Sequence, residues 1–352
     1  MATGTFRLRP APRTAHLSER FFGRFRRIGL DGLLTDLDRR GRWTDVPGEA
    51  AAEGFTWSDT DNSTRRWYPQ GITTSADAYG PDGGVGTFDG RPVVLVSWYG
   101  HGVIGYLFQG SRVSVIDVTR DDVPNYRHVL LVAPRRRFGL HRLAPVRVHA
   151  GGIVWYGKYL FVAGSSRGIR VFRLDDIVRV RNRWRTKGYR YVLPQLTRYS
   201  AEHDAGVHPM TYSFMSLDRR GDIDHLVVGE YGRKGGSHRL ARYALDRETE
   251  LLSTGDRQRA EPVELFEGQV PRMQGAALAD GTWAVTSSNG EGNPGDLWIG
   301  RPDAFERRRG VLPTGPEDIT YWPQRNQLWT VTEWPGQRWV YAIDADTVRR
   351  SD

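Results

Sequence analysis

Leu328-Trp329-Thr330-Val331-Thr332-Glu333-Trp334-Pro335 is an apolar run that ends on valine, a small residue and turn chemistry, and four other runs end the same way. They are Val-Ser-Trp-Tyr-Gly (96–100), Val-Ala-Gly-Ser-Ser (162–166), Val-Gly-Glu-Tyr-Gly (228–232) and Val-Thr-Ser-Ser-Asn (285–289). A second apolar segment precedes each run, beginning near Gln70, His149, Tyr212, Gln274 and Glu317, and a third, alternating strand follows it. Three of the third strands close on Asp117, Asp246 and Asp344. Valine, isoleucine, tyrosine and tryptophan at period two between glycine and aspartate turns read as strands of antiparallel meanders.

Five such units with no helical periodicity between them predict an all-β chain folded as a β-propeller, with five blades. Six is the alternative if residues 100–148 hold another meander. The ring has to close, because open edges would leave backbone groups unpaired. Too little chain follows Asp344 for an outer strand, so a segment before Trp67, either Thr5 to Leu8 or Phe55 to Ser58, is expected to supply it. The domain reading is an N-terminal extension over 1–65 and the propeller over 66–352. Residues 9–53, with Phe21, Phe22, Phe25, Ile28, Leu33, Leu34 and Leu37 at near-helical spacing, read as an irregular helical cap interrupted by Gly23, Gly29 and Gly32. The segment Arg179 to Gln195, with Trp184, Tyr189 and Tyr191, reads as an arginine-rich loop, solvated or facing an anion.

Composition removes several functions. The 352 residues include no cysteine, so disulfide scaffolds, thiolate zinc sites and cysteine nucleophiles are excluded. No run approaches the roughly 20 apolar residues of a membrane-spanning helix. The formal charge is +9, yet only Lys158, Lys187 and Lys234 are lysines, and the arginines form no recognised nucleic-acid motif. Nucleic acid is therefore not an expected partner, and a monomer is expected. Met1-Ala2-Thr3-Gly4-Thr5 has no basic segment leading into an apolar one. The expectation is a secreted protein if Met1 replaces a removed signal peptide, and a cytoplasmic one otherwise.

First strands line a propeller's axis, and antiparallel second strands end at the face where the first begin. The starts of the first strands and the turns after the second should therefore share one mouth. That mouth would hold His149, Glu230, Glu317, Glu333, Tyr231 and Tyr212 as candidates for acid–base work. Gln70, Trp98, Tyr99, Arg167, Gln274, Asn289 and Trp334 are candidates for substrate contact, the two tryptophans as stacking walls. Arg66, Arg147, Arg167 and Arg272 neighbour these motifs as cations for a substrate carboxylate. For each there is a plain structural alternative: Glu230 and Glu333 paired with Arg233 and Arg338, His149 bonded to a carbonyl, the tryptophans packed between blades. Ser288 to Asp296 and Ser58 to Ser63 are oxygen-rich loops where a divalent metal such as calcium is the only cofactor suggested.

Pro316-Glu317-Asp318-Ile319-Thr320-Tyr321 followed by Gln327-Leu328-Trp329-Thr330-Val331-Thr332-Glu333 resembles the inner strands of lactonase-like and NHL-like propellers. His149-Ala150-Gly151-Gly152-Ile153 with Tyr159-Leu160-Phe161-Val162 looks like the same blade, and is similar to actinobacterial propeller proteins, many of them secreted. The resemblance covers residues 66–346 and implies a propeller; from the lactonase-like proteins it further implies a divalent metal at Glu317. Streptogramin-linearising lyases share the propeller, with histidine and glutamate around a metal. The resulting expectation is a hydrolase or lyase acting on a saccharide or other polar or anionic small molecule. The alternatives are a non-catalytic glycan- or protein-binding propeller and a metal-dependent lactonase-like enzyme.

Overall fold

The computed structural model describes residues 6–11, 26–79, 84–102, 109–120, 123–137, 140–181, 186–232, 236–255 and 258–349. The apolar run Leu17 to Phe25, Trp184, Arg233 and Lys234 lie outside them. Among the described residues the chain forms antiparallel meanders of four strands. The first comprises Trp67–Thr74, Val93–Gly100, Ser111–Asp117 and Asn125–Arg137. The second comprises Ile153–Tyr156, Tyr159–Ala163, Ile169–Arg173 and Tyr191–His203. Phe214–Asp218, His225–Gly229, Leu240–Asp246 and Glu264–Phe266 make the third. Met273–Ala279, Thr282–Ser287, Pro294–Arg301 and Ala304–Thr314 make the fourth. In the last, Pro316–Trp322, Gln327–Thr332 and Trp339–Asp344 are completed by Glu53–Thr56, with Val340 opposite Phe55.

The first strands lie side by side in cyclic order, and the last lies against the first, which makes the molecule a β-propeller. Residues on these strands touch neighbours on both faces, so Trp67–Thr74 is buried along its whole length. Hydroxyls pin one blade to the next: Trp155 N–H donates to Thr73 Oγ1 at 3.0 Å, and Thr286 Oγ1 donates to the Glu317 carbonyl at 2.7 Å. Trp57, Trp98, Trp322 and Trp329 fill the joint between the last blade and the first.

The axis is packed shut at one level. A Cβ at Gly152 would lie 2.1 Å from Met215 N, and one at Gly275 2.5 Å from Ile319 N. At the matching position of the last blade stands Asp318, fully buried, whose carboxyl accepts N–H groups of Ile72, Ile153, Met215 and Ile319. One side chain thus gathers donors from four blades. Burial pushes its pKa well up despite these bonds.

The extension before residue 66 is woven into the ring. Phe6–Pro10 adds a strand to Tyr199–His203, and Arg26–Arg27 pairs with Val178–Arg179. Among the described residues of the cap, helix is present at Gly29–Leu34, whose Leu30, Leu33 and Leu34 fill the base of the first two blades. The remaining described cap residues include short strands, Arg39–Arg40 and Arg42–Trp43, that find sheet edges to pair with. A glycine at φ +64° opens the helix, and glycine inside it lowers its propensity.

Candidate functional site

Three first strands slip register where they enter the mouth: between Pro69 and Ile72, between Met273 and Gly275, and between Pro316 and Ile319. A bulge re-aims side chains that strict alternation would face elsewhere. The bulged residues Gln70, Gln274 and Glu317 meet, together with Glu333 from the turn after the last second strand. Gln70 Nε2 donates to the Glu333 carboxyl at 3.1 Å, Gln274 Nε2 donates to Glu317 Oε1 at 3.1 Å, and the two carboxyls hydrogen-bond each other. The chain Gln70–Glu333–Glu317–Gln274 spans blades that are neighbours around the ring.

Two carboxyls in contact cannot both ionise cheaply. Burial, then the adjacent Glu333, raises Glu317 well above the ordinary carboxyl range. Burial also pushes Glu333 up, to about 7, against the pull of the Glu317 and Gln70 donors. Glu317 is the more deeply buried and keeps the shared proton; Glu333 is partly open to the mouth. Glu291, exposed on the loop after Thr282–Ser287 of the fourth blade, adds to the negative field at Glu333.

Aromatic rings wall this floor. Tyr99 packs on His149 with centroids 4.2 Å apart, Tyr68 stacks on His101 at 4.1 Å, and Trp334 meets the edge of Tyr68 at 6.1 Å. Burial and the two glutamates raise the Tyr99 phenol, which stays protonated at neutral pH. His149 is exposed at the mouth, with its ring against Tyr99. Its surroundings and the neighbouring His101 hold it below the usual imidazole value, so it is neutral at pH 7.

The structure therefore brings together Gln70, Tyr99, His149, Gln274, Glu317, Glu333 and Trp334. It takes others away. Glu230 is bound in a fork by Arg239, Nε to Oε2 at 2.7 Å and Nη2 to Oε1 at 2.8 Å, and also accepts from Thr211 N, which keeps it ionised and below the ordinary range even though burial opposes it. It is a structural ion pair and has no proton to trade. Tyr212 points into the core, its hydroxyl 3.1 Å from that of Tyr243. Trp98 is fully buried between Trp57 and the Arg112 guanidinium, so it packs and does not stack on a ligand. Tyr231 and Arg167 are exposed on their turns, and Asn289 Nδ2 caps its own loop through the Pro294 carbonyl at 2.8 Å. Arg66 and Arg272 are likewise exposed. Tyr68 and His101 were not singled out from sequence, although Tyr68 lies two residues before Gln70 on the same strand.

The donor set does not fit a divalent metal. Glu317 and Glu333 share a proton and face amide N–H donors, which compete with a cation. Among the described residues no group of three or more His, Asp or Glu side chains is arranged to hold one. The two oxygen-rich loops have spent their buried carboxylates: Asp296 is taken by Arg307 at 2.6 Å, and Asp61 by Arg39 at 2.8 Å, by Arg112 at 3.2 Å and by the Tyr126 hydroxyl at 2.7 Å.

No protein-family model and no curated protein matches this chain. Among solved structures it is similar to the β-propeller domain of Cps50 (Swd1) from Myceliophteria thermophila, with 11% identity, TM-score 0.38, covering 80% of this chain and 99% of that one. It is also similar to XC5397, a gluconolactonase from Xanthomonas campestris, with 12% identity, TM-score 0.35, and coverage of 88% and 86%. A third is a GH43_1 enzyme from Xanthomonas citri, with 10% identity, TM-score 0.37, and coverage of 81% and 91%. The propeller assignment stands on the ring of first strands, independent of these distant similarities.

Proposed function

We propose that the mouth is the active site of a hydrolase acting on a neutral saccharide or a similar polar small molecule. The observation that carries this reading is the Glu317–Glu333 carboxyl pair, which holds one proton near neutrality at the floor of an aromatic-walled mouth. A base poised close to working pH is the most effective general catalyst. Glu333, the accessible member, would take a proton from an attacking water, while Glu317 donates to it and sets its basicity as a positioning residue. Neutral His149 and the protonated Tyr99 phenol stand where they can donate to developing charge on a substrate oxygen. Direct contact between the carboxyls is too close for the two-sided glycosidase arrangement, which separates them by at least about 5 Å. Both catalytic steps would therefore be served from one face. Trp334, half-buried at the mouth, offers a flat surface to a sugar ring, while Tyr68 is held between His101 and Arg338 and backs it, and the acidic floor favours an uncharged substrate over an anionic one.

The test is a turnover screen of neutral oligosaccharides and sugar lactones with wild type and with Glu333→Gln. We expect turnover in the wild type with kcat/KM rising as pH climbs toward about 7, where Glu333 loses its proton. The variant should lose about 10²- to 10⁴-fold in kcat, the usual worth of a general base. Chelator should leave the rate unchanged. Saturable sugar binding without turnover by the wild type would instead establish a glycan-binding propeller.

A further inference from the structure

We propose that the molecule carries a second ligand site, a phosphate-binding pocket built by Arg26, Arg27, Arg179 and Arg190 outside the mouth, at the outer joint of the first and second blades. Val192–Pro194, at the start of the second blade's last strand, runs parallel to Leu130–Val132 of the first blade's last strand and closes the outer joint between the two blades. There Val178–Arg179 pairs with Arg26–Arg27, and a cavity of about 550 Å3 opens beside the ladder. Its charged lining is four arginines against Asp31 and Asp36.

Asp36 is already committed. It receives the Tyr191 hydroxyl, Arg127 Nη2 at 2.9 Å and Arg190 Nη1 at 3.3 Å. Arg27 reaches only Asp176, at 3.6 Å, and Arg173 holds that carboxylate more closely, at 2.7 Å. Arg26 and Arg179 are exposed and lie directly opposite each other in register; Arg179 adds its charge to the field on Asp36, whose carboxylate Arg127 and Arg190 already hold within ion-pair distance. Like charges in that relation destabilise a two-stranded ladder. Opposed residues stand about 5 Å apart at Cβ, a spacing from which two guanidinium forks can hold one tetrahedral dianion, each donating two N–H groups. The cavity lies within the roughly 300–1,000 Å3 span of small-ligand sites, with room for more than the anion. Either free phosphate or a phosphate ester supplies this chemistry.

Calorimetric titration at low ionic strength separates the two sources, with inorganic phosphate in one arm and a hexose 6-phosphate in the other, against chloride at matched ionic strength. Saturable binding of phosphate or of the ester is expected. Tighter binding of the ester identifies an organic phosphate as ligand; equal affinities identify the free ion. Arg26→Ala with Arg179→Ala should weaken either at least tenfold with a melting temperature unchanged or raised, as both side chains are exposed and their mutual repulsion is relieved, and the paired lysine variant should recover part of the loss. Absence of saturable heat in both arms, or undiminished affinity in the double alanine variant, overturns the proposal.

Discussion

Glu230 and Glu333 occupy matching places in two blades, each following a valine and one small residue at the end of a second strand, and each has an arginine at the start of the next strand. Their chemistry differs because those arginines aim differently. Arg239 forks onto the Glu230 carboxylate. Arg338 instead donates to the carbonyls of Glu333 at 2.7 Å and Asp61 at 2.8 Å and lies over the Tyr68 ring. The Glu333 carboxyl is left to a second carboxyl. The same residue type at the same repeat position is thus a fixed anion in one blade and a poised base in the other, and the direction of one guanidinium decides which.

The sharpest way to break the comparison is to remove each carboxylate in turn. Glu230→Gln leaves Arg239 charged and buried without its partner, a loss of about 3–5 kcal/mol by precedent, and chemical denaturation should show it. Glu333→Gln discards no ion pair and removes a carboxyl that resists ionisation when folded, so at neutral pH it should denature at or above the wild-type concentration. Comparable losses in the two variants would erase the distinction drawn here.

Next in size is the opposite pH dependence of the two sites. Glu333 titrates near 7 when folded against an ordinary 4.5, so between those values the folded state holds more protons than the unfolded. Stability should therefore fall as pH rises through that window, by up to about 1.4 kcal/mol per unit, and level off above it. Glu230 is depressed, so its stabilisation is present above the ordinary value and disappears as pH falls below it. Melting curves from pH 3 to 8 should lose the neutral slope in Glu333→Gln and the acid slope in Glu230→Gln. The smallest expected effect belongs to Arg239→Lys, which keeps the charge and loses the fork, at a cost of about 1 kcal/mol.

Much of the fold was legible because the repeat is written in both its strands and its turns: valine before small residues, glycine at the inner-strand entrances, aspartate at the exits. The site was legible only where the repeat register held. Gln70, Gln274 and Glu317 are equivalent in space as they are in sequence. Tyr212 was placed one residue out and His149 two, because the residues that match them are Ser213 and Gly151. Bulges add residues without disturbing a period-two pattern, so no spacing rule reveals them. His149 reaches the mouth even so, from the segment just before its strand. The separation of Glu230 from Glu333 was invisible for another reason: both have arginines nearby, and which atom a guanidinium reaches depends on backbone direction. Asp318 showed only as a second acid beside Glu317, and its place at the hub follows from glycines in other blades.

Glu53–Thr56 finishes a sheet whose other strands come from the far end of the chain: Thr56 Oγ1 donates to the Arg338 carbonyl across 282 positions of sequence. Bringing such ends together costs roughly 5 kcal/mol of chain entropy beyond a constant. During synthesis the hoop stays unclasped until Trp339–Asp344 has left the ribosome, so the earlier blades must wait for the last, and both carboxyls of the mouth arrive with that late blade.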